Sequence, residues 1–413
     1  MSSSQTSTSI SESSDENNSQ DENLELSHKI LNHYNILYEL GRGAYSIVWL
    51  AYNINTQKFY ALKVQNPTEY KDGVDEINFV KKLPEKPDVF NNLYEKFIEI
   101  IDDEKYLCSV WQLHCSNLDH LIRKGKFKGG IPFDNAINII RQLITAVDIL
   151  HTRYNVFHGD IKTDNILVKG INNRDELIIK EYIKENFNEK YINAKKEFWI
   201  NKGNKLSNID KIKKKDKIKI RKHLHKEICG KILNKIEDLD ILKHQIDDKY
   251  LEKINISLAD FGTYCSQDNY YDKPFGTRYY QAPEIILMGK CSYPVDIWAL
   301  GCTIYEILFG EILFDPNKDS KRSRDYYHLC LINDTCGNFP SHFLKKTKYY
   351  KNYFNSKHNI IDYEKKISNK IFDKTNMLEI SKEQKIKINE LLTNMLIIDP
   401  EKRITINNII KSF

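Results

Sequence analysis

Two short motifs with carboxylate and amide side chains constrain this chain more than any other feature. The first is His158-Gly-Asp160-Ile-Lys162-Thr-Asp-Asn165, and the second, Asp260-Phe-Gly262, begins 95 positions after Asn165. Asp160 can accept the proton of an incoming hydroxyl, and Lys162 can neutralise charge on a transferred group. Asn165 and Asp260 offer the oxygen ligands that a hard cation such as Mg²⁺ prefers. Each motif alone fits an ordinary turn, but together and in this order they predict one site for a metal and a phosphorylated ligand.

A glycine-rich turn precedes these motifs, between two runs with strand-like alternation. Gly41 and Gly43 allow the backbone to turn tightly and to approach a phosphate. Lys63 follows in an otherwise apolar run, where a lysine costs desolvation unless it has a partner. Glu76, in a predicted helix, can supply that partner. Taken in isolation, a plain hairpin turn and an unrelated lysine–glutamate pair explain the same residues.

Composition divides the chain into segments of different character. The first thirty residues contain ten serines and six acidic residues against Lys29, a composition that cannot bury enough apolar surface to fold. Apolar residues recur with helical spacing over Asp75–Leu83, Phe133–His151, Pro294–Phe309 and Lys382–Leu396. We expect, in chain order, a disordered tail (1–30), a small strand-rich lobe (35–115), the first part of a large lobe (116–169), a basic spacer (170–255) and the rest of the large lobe (256–413).

The positive charge is concentrated in the predicted spacer. Residues 171–250 contain 21 Lys and Arg against 14 Asp and Glu, whereas the whole chain carries a net charge of +5. A solvated lysine face is one explanation, and a patch for nucleic acid, localisation or a partner is the other.

Sequence features also bear on the compartment. The eight cysteines form no Cys-x-x-Cys pair, Met1 begins no secretory pattern, and the longest uncharged apolar stretch, near Ile297–Tyr305, is too short for a membrane span. We therefore expect reduced thiols, no membrane contact and a cytoplasmic or nuclear protein that is not secreted.

The glycine-rich turn, the lysine–glutamate pair and the two motifs, taken in chain order, resemble the signature of the eukaryotic serine/threonine protein kinases. The resemblance covers residues 37–168 and 256–413, and it includes Gln281-Ala-Pro-Glu284, Asp296-Ile-Trp298-Ala-Leu-Gly301 and Arg403. It implies an α+β, bilobal protein kinase fold, with a small antiparallel-sheet lobe that carries one main helix and a larger helical lobe. It also implies transfer of the γ-phosphoryl group of ATP to Ser or Thr hydroxyls of proteins, with Mg²⁺ as cofactor.

The same resemblance implies a role for individual residues. The implied catalytic residues are Asp160, Lys162, Lys63 and Glu76, and the implied metal ligands are Asn165 and Asp260. The implied nucleotide-binding residues are Leu40, Gly41, Arg42, Gly43, Ala44, Tyr45, Ser46, Val48, Ala61, Lys63, Trp111, Leu113 and Leu167. Trp111 falls at the gatekeeper position behind the adenine, and plain core packing is the alternative for it.

Four segments narrow the resemblance to the SR-protein kinases, a branch of the CMGC group in which a charged spacer splits the kinase domain. They are Ser46-Ile-Val-Trp-Leu-Ala, Asp75-Glu76-Ile, Cys108-Ser-Val-Trp111 and Tyr350-Lys-Asn-Tyr-Phe354. Gly159 stands where many kinases have an arginine that pairs with a phosphorylated loop, and the loop before Glu284 is short. The branch therefore implies activity without loop phosphorylation.

Other positions depart from that branch. Gln281 replaces the arginine expected before the Ala-Pro-Glu motif, and Tyr327 replaces an acid of the docking groove for Arg-Ser repeats. Glu311 and Asp334 remain acidic, but the neighbouring residues are basic: Lys318, Lys321, Arg322 and Arg324. Protein substrates are expected, and Arg/Ser-rich ones follow from the resemblance alone.

Two alternatives to a constitutively active kinase remain at the level of sequence. One is a catalytically silent pseudokinase scaffold, although the five central residues are intact. The other is a kinase whose basic spacer tethers nucleic acid or a partner. We expect a monomer, and the richness in Asn, Ile, Lys and Tyr is typical of an AT-rich genome of a protist or a large DNA virus. In the viral case the compartment is that of the host cell.

Overall fold

The computed structural model describes residues 24, 26–43, 45–235, 242–266, 274–317, 321–364, 366 and 368–412. Within these residues the predicted α+β, bilobal architecture is confirmed, with a six-stranded antiparallel sheet in the small lobe and mainly helices in the large lobe. Most of the predicted tail, 1–23 and 25, lies outside the described residues. Leu26, by contrast, is fully buried against the small-lobe sheet.

The small lobe consists of the sheet and one main helix. The strands are β1 (Ile30–Leu31), β2 (Tyr34–Arg42), β3 (Ser46–Asn53), β4 (Lys58–Gln65), β5 (Leu93–Ile101) and β6 (Glu104–Trp111), in the order β1-β2-β3-β4-β6-β5. Because side chains alternate between the two faces of a strand, the opposed residues Trp49 and Leu62 are buried on one face. Val48 and Lys63, which are also opposed, lie on the other face, toward the large lobe.

The main helix of the small lobe, α1 (Tyr70–Val80), begins earlier than the sequence pattern indicates. The expected helix was Asp75–Leu83, but a 3-10 turn at Pro67–Glu69 leads directly into Tyr70. The first turn of α1 is polar and only Gly73 of it is buried, so apolar periodicity carries no signal there. Glu76 lies on the buried face of α1, as its predicted role requires.

The first part of the large lobe follows the small lobe directly. Its elements are β7 (His114–Asn117), α2 (Leu118–Arg123), α3 (Phe133–Asp148), β8 (Val156–Phe157) and β9 (Ile166–Lys169). The apolar face of α3 is fully buried at Ile139, Ile140 and Leu143. Between β8 and β9 lies the predicted catalytic loop, residues 158–165, which carries Asp160, Lys162 and Asn165.

The basic insert forms helices that pack on the small lobe. These helices are α4 (Asn173–Lys184), α5 (Phe187–Asn201) and α6 (Lys214–Leu233). Their apolar residues, among them Tyr182 and Ile228, share a buried cluster with Leu50 and Tyr52 of β3. The described part of the insert is therefore continuous with the core of the small lobe.

The remainder of the large lobe completes the helical core. Its elements are α7 (Asp248–Leu251), β10 (Ile256–Leu258), β11 (Cys265–Ser266), α8 (Pro283–Ile286), α9 (Pro294–Phe309), α10 (Arg324–Cys336), α11 (Ser341–Leu344), α12 (Tyr350–Tyr353), α13 (Lys370–Met377), α14 (Lys382–Met395) and α15 (Ile406–Ser412). The central helix α9 has the predicted bounds, and Gly310 ends it with a left-handed φ of 71°. Among the described residues, no helix has the length and hydropathy to cross a bilayer.

Candidate active site

A cleft of about 500 Å³ lies between the two lobes. The predicted nucleotide-binding residues that line it are Leu40, Gly41, Arg42, Gly43, Ser46, Val48, Ala61, Lys63, Trp111, Leu113 and Leu167. Ala44 lies outside the described residues. Tyr45 lies at the tip of the glycine-rich turn with 62% of its surface exposed, and it does not line the cleft.

Lys63 and Glu76 form an ion pair inside this cleft. The Nζ atom of Lys63 lies 2.8 Å from Oε2 of Glu76, and the other carboxylate oxygen of Glu76 accepts a hydrogen bond from the backbone N–H of Phe261. Burial alone would lower the pKa of Lys63, but the charges of Glu76 and Asp260 outweigh burial and raise it. Lys63 is therefore held in its cationic form.

Strand pairing brings Asn165 and Asp260 together despite their separation in sequence. Strand β9, which follows Asn165, pairs antiparallel with β10, which ends just before Asp260. The backbone N–H of Ala259 donates to the carbonyl of Asn165 at 2.9 Å, and both side chains line the cleft. The amide nitrogen of Asn165 donates to Asp160, so its amide oxygen is the atom available to a cation.

Asp160 and Lys162 are not among the residues that line the cleft, but Asp160 contacts the cleft residue Asn165, and both contact the segment before Glu284. The Nζ atom of Lys162 is 2.8 Å from Oδ2 of Asp160 and donates to the hydroxyl of Thr277 at 2.6 Å. The backbone N–H of Thr277 donates to Oδ1 of Asp160 at 2.7 Å. Burial would raise the pKa of Asp160, but Lys162 and Thr277 together hold that pKa below its usual value. Asp160 is therefore a carboxylate at neutral pH.

Buried ionic groups hold the catalytic loop in place. Asp296 of α9 accepts hydrogen bonds from the backbone N–H groups of His158 and Gly159, at 2.8 and 2.9 Å. Arg403 and Glu284 form a bidentate pair, at 2.6 and 3.0 Å, with almost no exposure of either side chain. This pair anchors the Ala-Pro-Glu segment to the last part of the chain.

The residues that line the cleft fit a nucleotide and a magnesium ion. Asn91 Oδ1 and His114 Nε2 are buried at the cleft and have no hydrogen-bond partner among the described residues, as expected of atoms that await a polar ligand. An added Cβ on Gly41 would meet no atom within 4 Å, so this turn leaves room for phosphates. The amide of Asn165 and the carboxylate of Asp260 are hard oxygen donors of the kind that Mg²⁺ takes.

The structure adds residues to the site that sequence patterns did not indicate. Thr277 contacts both Asp160 and Lys162, although nothing in the sequence marks it as different from other threonines. The insert supplies Asn172, Arg174 and Asp175 to the wall of the cleft. The side-chain amide of Asn172 donates to the backbone carbonyl of Cys115 in β7 at 3.0 Å, and this contact ties α4 to the segment between the lobes. The Asn172-x-x-Asp175 spacing is a helix-start signal, but it carries no sign of a role at the cleft.

Comparisons with known proteins agree with this geometry. A family model described as protein kinase domain matches residues 34–182 and 246–413, with the gap inside the basic insert. The putative serine/threonine-protein kinase L205 of Acanthamoeba polyphaga mimivirus is 28% identical over 400 residues, which cover 76% of this chain and 74% of that protein. The serine/threonine-protein kinase SRPK of Physarum polycephalum is 28% identical over 332 residues, or 78% and 71% of the two chains.

SRSF protein kinase 3 of Mus musculus is more distant, at 21% identity over 427 residues that cover 78% of this chain and 75% of that protein. The two matched segments and their relatives confirm the expected split domain and its likeness to the SR-protein kinases. The chain thus belongs to the protein kinase domain family, as a serine/threonine protein kinase most similar to the SR-protein kinase branch.

Proposed function

We propose that this chain transfers the γ-phosphoryl group of ATP to serine or threonine hydroxyls. We propose further that it does so without prior phosphorylation of its activation segment, residues 260–284. The observation that carries the proposal is that Lys63 and Asp160 are each held in place by residues that carry no phosphate. Lys63 is paired with Glu76, and Asp160 is held by Thr277. The proposal keeps the predicted kinase segments 35–115, 116–169 and 256–413, with 170–255 as an insert that packs on the small lobe, and it ends the tail before Leu26, which is buried.

Each residue then has a defined task. Asp160, an aspartate that Lys162 and Thr277 keep ionised, orients the acceptor hydroxyl and takes its proton. Lys63, kept cationic by Glu76, binds phosphate oxygens under the glycine-rich turn. Asn165 and Asp260 would hold Mg²⁺, which supplies positive charge to those oxygens when bound. Trp111, whose indole N–H donates to Ser109 at 2.8 Å, closes the inner end of the cleft.

Independence from loop phosphorylation is supported by the backbone at Gly159. Its φ is +81°, and an added Cβ would lie 2.8 Å from the carbonyl of Thr263, so this conformation disfavours an arginine there. Without that arginine, a phosphate on the segment has no cation at this position to bind. Instead, the amide of Gln281 donates to the carbonyls of Phe275 and Gly276, at 2.9 and 3.2 Å, and fixes the segment with neutral groups.

The contacts of the two retained docking acids argue against a groove for Arg-Ser repeats. Glu311 lies 3.5 and 3.2 Å from the ammonium groups of Lys370 and Lys374. Asp334 accepts hydrogen bonds from the hydroxyl of Tyr363 and the backbone N–H of Lys366. We therefore propose protein substrates that are not selected by long basic repeats.

We place the enzyme in a reducing cytoplasmic or nuclear compartment, since all eight cysteines are free thiols.

The test is a peptide-array phosphorylation assay with Mg·ATP on the full chain, with mass spectrometry of residues 260–284. Lys63→Met removes the phosphate-binding cation, and we expect turnover to fall by at least about a hundredfold while the protein stays folded. Lys58→Met is the matched control, because Lys58 is an exposed lysine on the same strand. We expect the control to retain wild-type turnover.

Three outcomes contradict the proposal. Absence of phosphorylation of every peptide by the folded wild-type chain would favour the pseudokinase alternative. Turnover that appears only after the 260–284 segment carries phosphate would refute independence from loop phosphorylation. Comparable turnover of Lys63→Met and Lys58→Met would refute the role given to Lys63.

A further inference from the structure

A carboxylate cluster lies beside the catalytic loop, and one of the chain's own arginines fills it. Glu306 of α9 is almost fully buried, with 1% of its side chain exposed. Arg123, at the end of α2, donates from Nη2 to Oε1 of Glu306 at 2.7 Å and from Nε to Asp119. The guanidinium thus spans two acidic side chains from different parts of the large lobe.

The cluster is built for a cation. The second oxygen of Glu306 accepts hydrogen bonds from the hydroxyls of Thr163, at 3.2 Å, and Tyr280. Burial raises the pKa of Glu306, and the hydroxyl of Tyr280, the charge of Arg123 and the hydroxyl of Thr163 act in the opposite direction. A buried carboxylate with an empty neighbouring position would carry a large desolvation cost. Arg123 offsets part of that cost from within the chain.

The cluster contacts the loop that carries Asp160, because Glu306 accepts a hydrogen bond from Thr163 of that loop. Thr163 is three residues after Asp160, so their Cα atoms are at most about 11 Å apart along the chain. A substrate that presents its hydroxyl to Asp160 covers that distance with about three extended residues. Asp164, the next residue of the loop, lines the nucleotide cleft itself. A substrate side chain within about three residues of the acceptor can therefore reach the cluster.

Arg123 is anchored but remains partly accessible to solvent. Its side chain is 39% exposed, whereas the side chain of Asp119 is 15% exposed. The guanidinium therefore covers the carboxylates and remains partly exposed to solvent. An incoming basic side chain would meet a like charge there instead of a free carboxylate.

We propose that Arg123 is a specificity-determining residue, which fills the cluster of Asp119 and Glu306 and so removes selection for a basic side chain near the phosphoacceptor. The proposal rests on the proposed kinase function and names the substrate class of that same site. A second position shows the same arrangement independently, because Lys370 and Lys374 form ion pairs with Glu311. At both positions the chain provides its own cation where a basic substrate would otherwise bind.

The experiment compares the full-length wild type with Arg123→Gln, which removes the charge, and Arg123→Lys, which keeps it. Arg153→Gln is the matched control, because Arg153 is an exposed arginine on the same lobe away from the cluster. The peptides carry one serine in a neutral background, with a single Arg or Ala at each of the four positions before and after it. The measured quantity is the ratio of kcat/KM for the Arg peptide to that for the Ala peptide.

We expect ratios within about threefold of one for the wild type, Arg123→Lys and the Arg153→Gln control. For Arg123→Gln we expect a ratio of at least about ten at one position, which means that the Arg peptide is preferred there. The reason is that a charged hydrogen-bonded pair is worth more than the 1.4 kcal/mol that a tenfold change represents. A folded Arg123→Gln with an unchanged ratio overturns the proposal. So does a wild type that already prefers arginine by more than tenfold, whatever the variants do.

A binding measurement separates this proposal from the proposed function. Peptides with alanine in place of the acceptor serine are titrated by fluorescence anisotropy into the wild type and Arg123→Gln, in parallel with thermal melting of each. Tighter binding of the Arg peptide by Arg123→Gln, by about tenfold, supports the cluster even if no peptide is phosphorylated. Equal binding by two folded proteins overturns it even if the wild type is an active kinase.

Discussion

Arg221 of the insert tests whether the insert is part of the catalytic unit or a passive linker. Arg221 lies in α6, donates from Nε to Asn35 of β2 at 2.9 Å and donates from Nη1 to the carbonyl of Asn32 at 3.1 Å. Asn35 is fully buried and also donates to the hydroxyl of Tyr182 at 2.7 Å. We predict that Arg221→Met loosens α6 from the small-lobe sheet.

The magnitude follows from the contacts. Each hydrogen bond from a charged donor is worth about 1.5–3 kcal/mol, so the loss of two costs about 3–6 kcal/mol. Burial lowers the pKa of Arg221 to about 10, and its Nη2 atom is buried without a partner among the described residues. Removing that buried charge returns about 1–3 kcal/mol. At the middle of these two ranges the net loss is about 2.5 kcal/mol, which corresponds to an opening equilibrium about 70-fold larger.

The assay is amide hydrogen exchange of α6 in the full chain, followed by mass spectrometry. Lys222→Met is the matched control, because Lys222 is the next residue of the same helix and is exposed. We expect exchange of α6 to accelerate about 70-fold in Arg221→Met and to stay within threefold of the wild type in the control. Equal exchange in the two variants would refute the view that these buried contacts hold the insert on the lobe.

Two further predictions concern the supports of the site. Arg403→Met should lower the free energy of unfolding in urea by about 3–5 kcal/mol, because it leaves the buried carboxylate of Glu284 unpaired; a loss below about 1 kcal/mol would contradict this. The pKa of Asp160 is lowered, so its side chain stays ionised at every pH above that lowered pKa. The pH profile of kcat/KM should therefore show no acid limb from Asp160 between pH 5 and 8. Lys162→Met removes one of the two groups that lower this pKa, so its acid limb should lie at higher pH than that of Lys162→Arg, which keeps the charge; identical profiles for the two variants would refute the assignment.

The positions of three large-lobe helices, α3, α9 and α14, were predictable because their boundaries are local, although α3 ends at Asp148 and not at the expected His151. Helix α9 spans Pro294–Phe309 as expected, since proline suits a first helical turn and Gly310 accepts the left-handed conformation that ends the helix. The beginning of α1 was not predictable from apolar spacing. Its first turn follows a 3-10 turn that the hydrophobic pattern does not record.

Most of the residues that line the cleft were predictable, because motif order fixes which strands and turns meet. Strand pairing alone then brings Asn165 to Asp260. The packing of the insert was not predicted, although Leu224, Ile228 and Ile232 recur at four-residue spacing, which is typical of one buried helix face. The many lysines around these residues concealed that signal. Their partners on β2 and β3 lie more than a hundred positions away, and only the folded chain identifies them.

The most direct test of the central claim is turnover and nucleotide binding by Asp160→Asn. This change keeps the size of the side chain and its distance from Lys63 and Asp260, so we predict that the affinity for Mg·ATP stays within about threefold of the wild type. Loss of the proton acceptor should lower kcat by about 10²–10⁴-fold. A folded Asp160→Asn protein that phosphorylates peptides at a rate within threefold of the wild type would contradict the account.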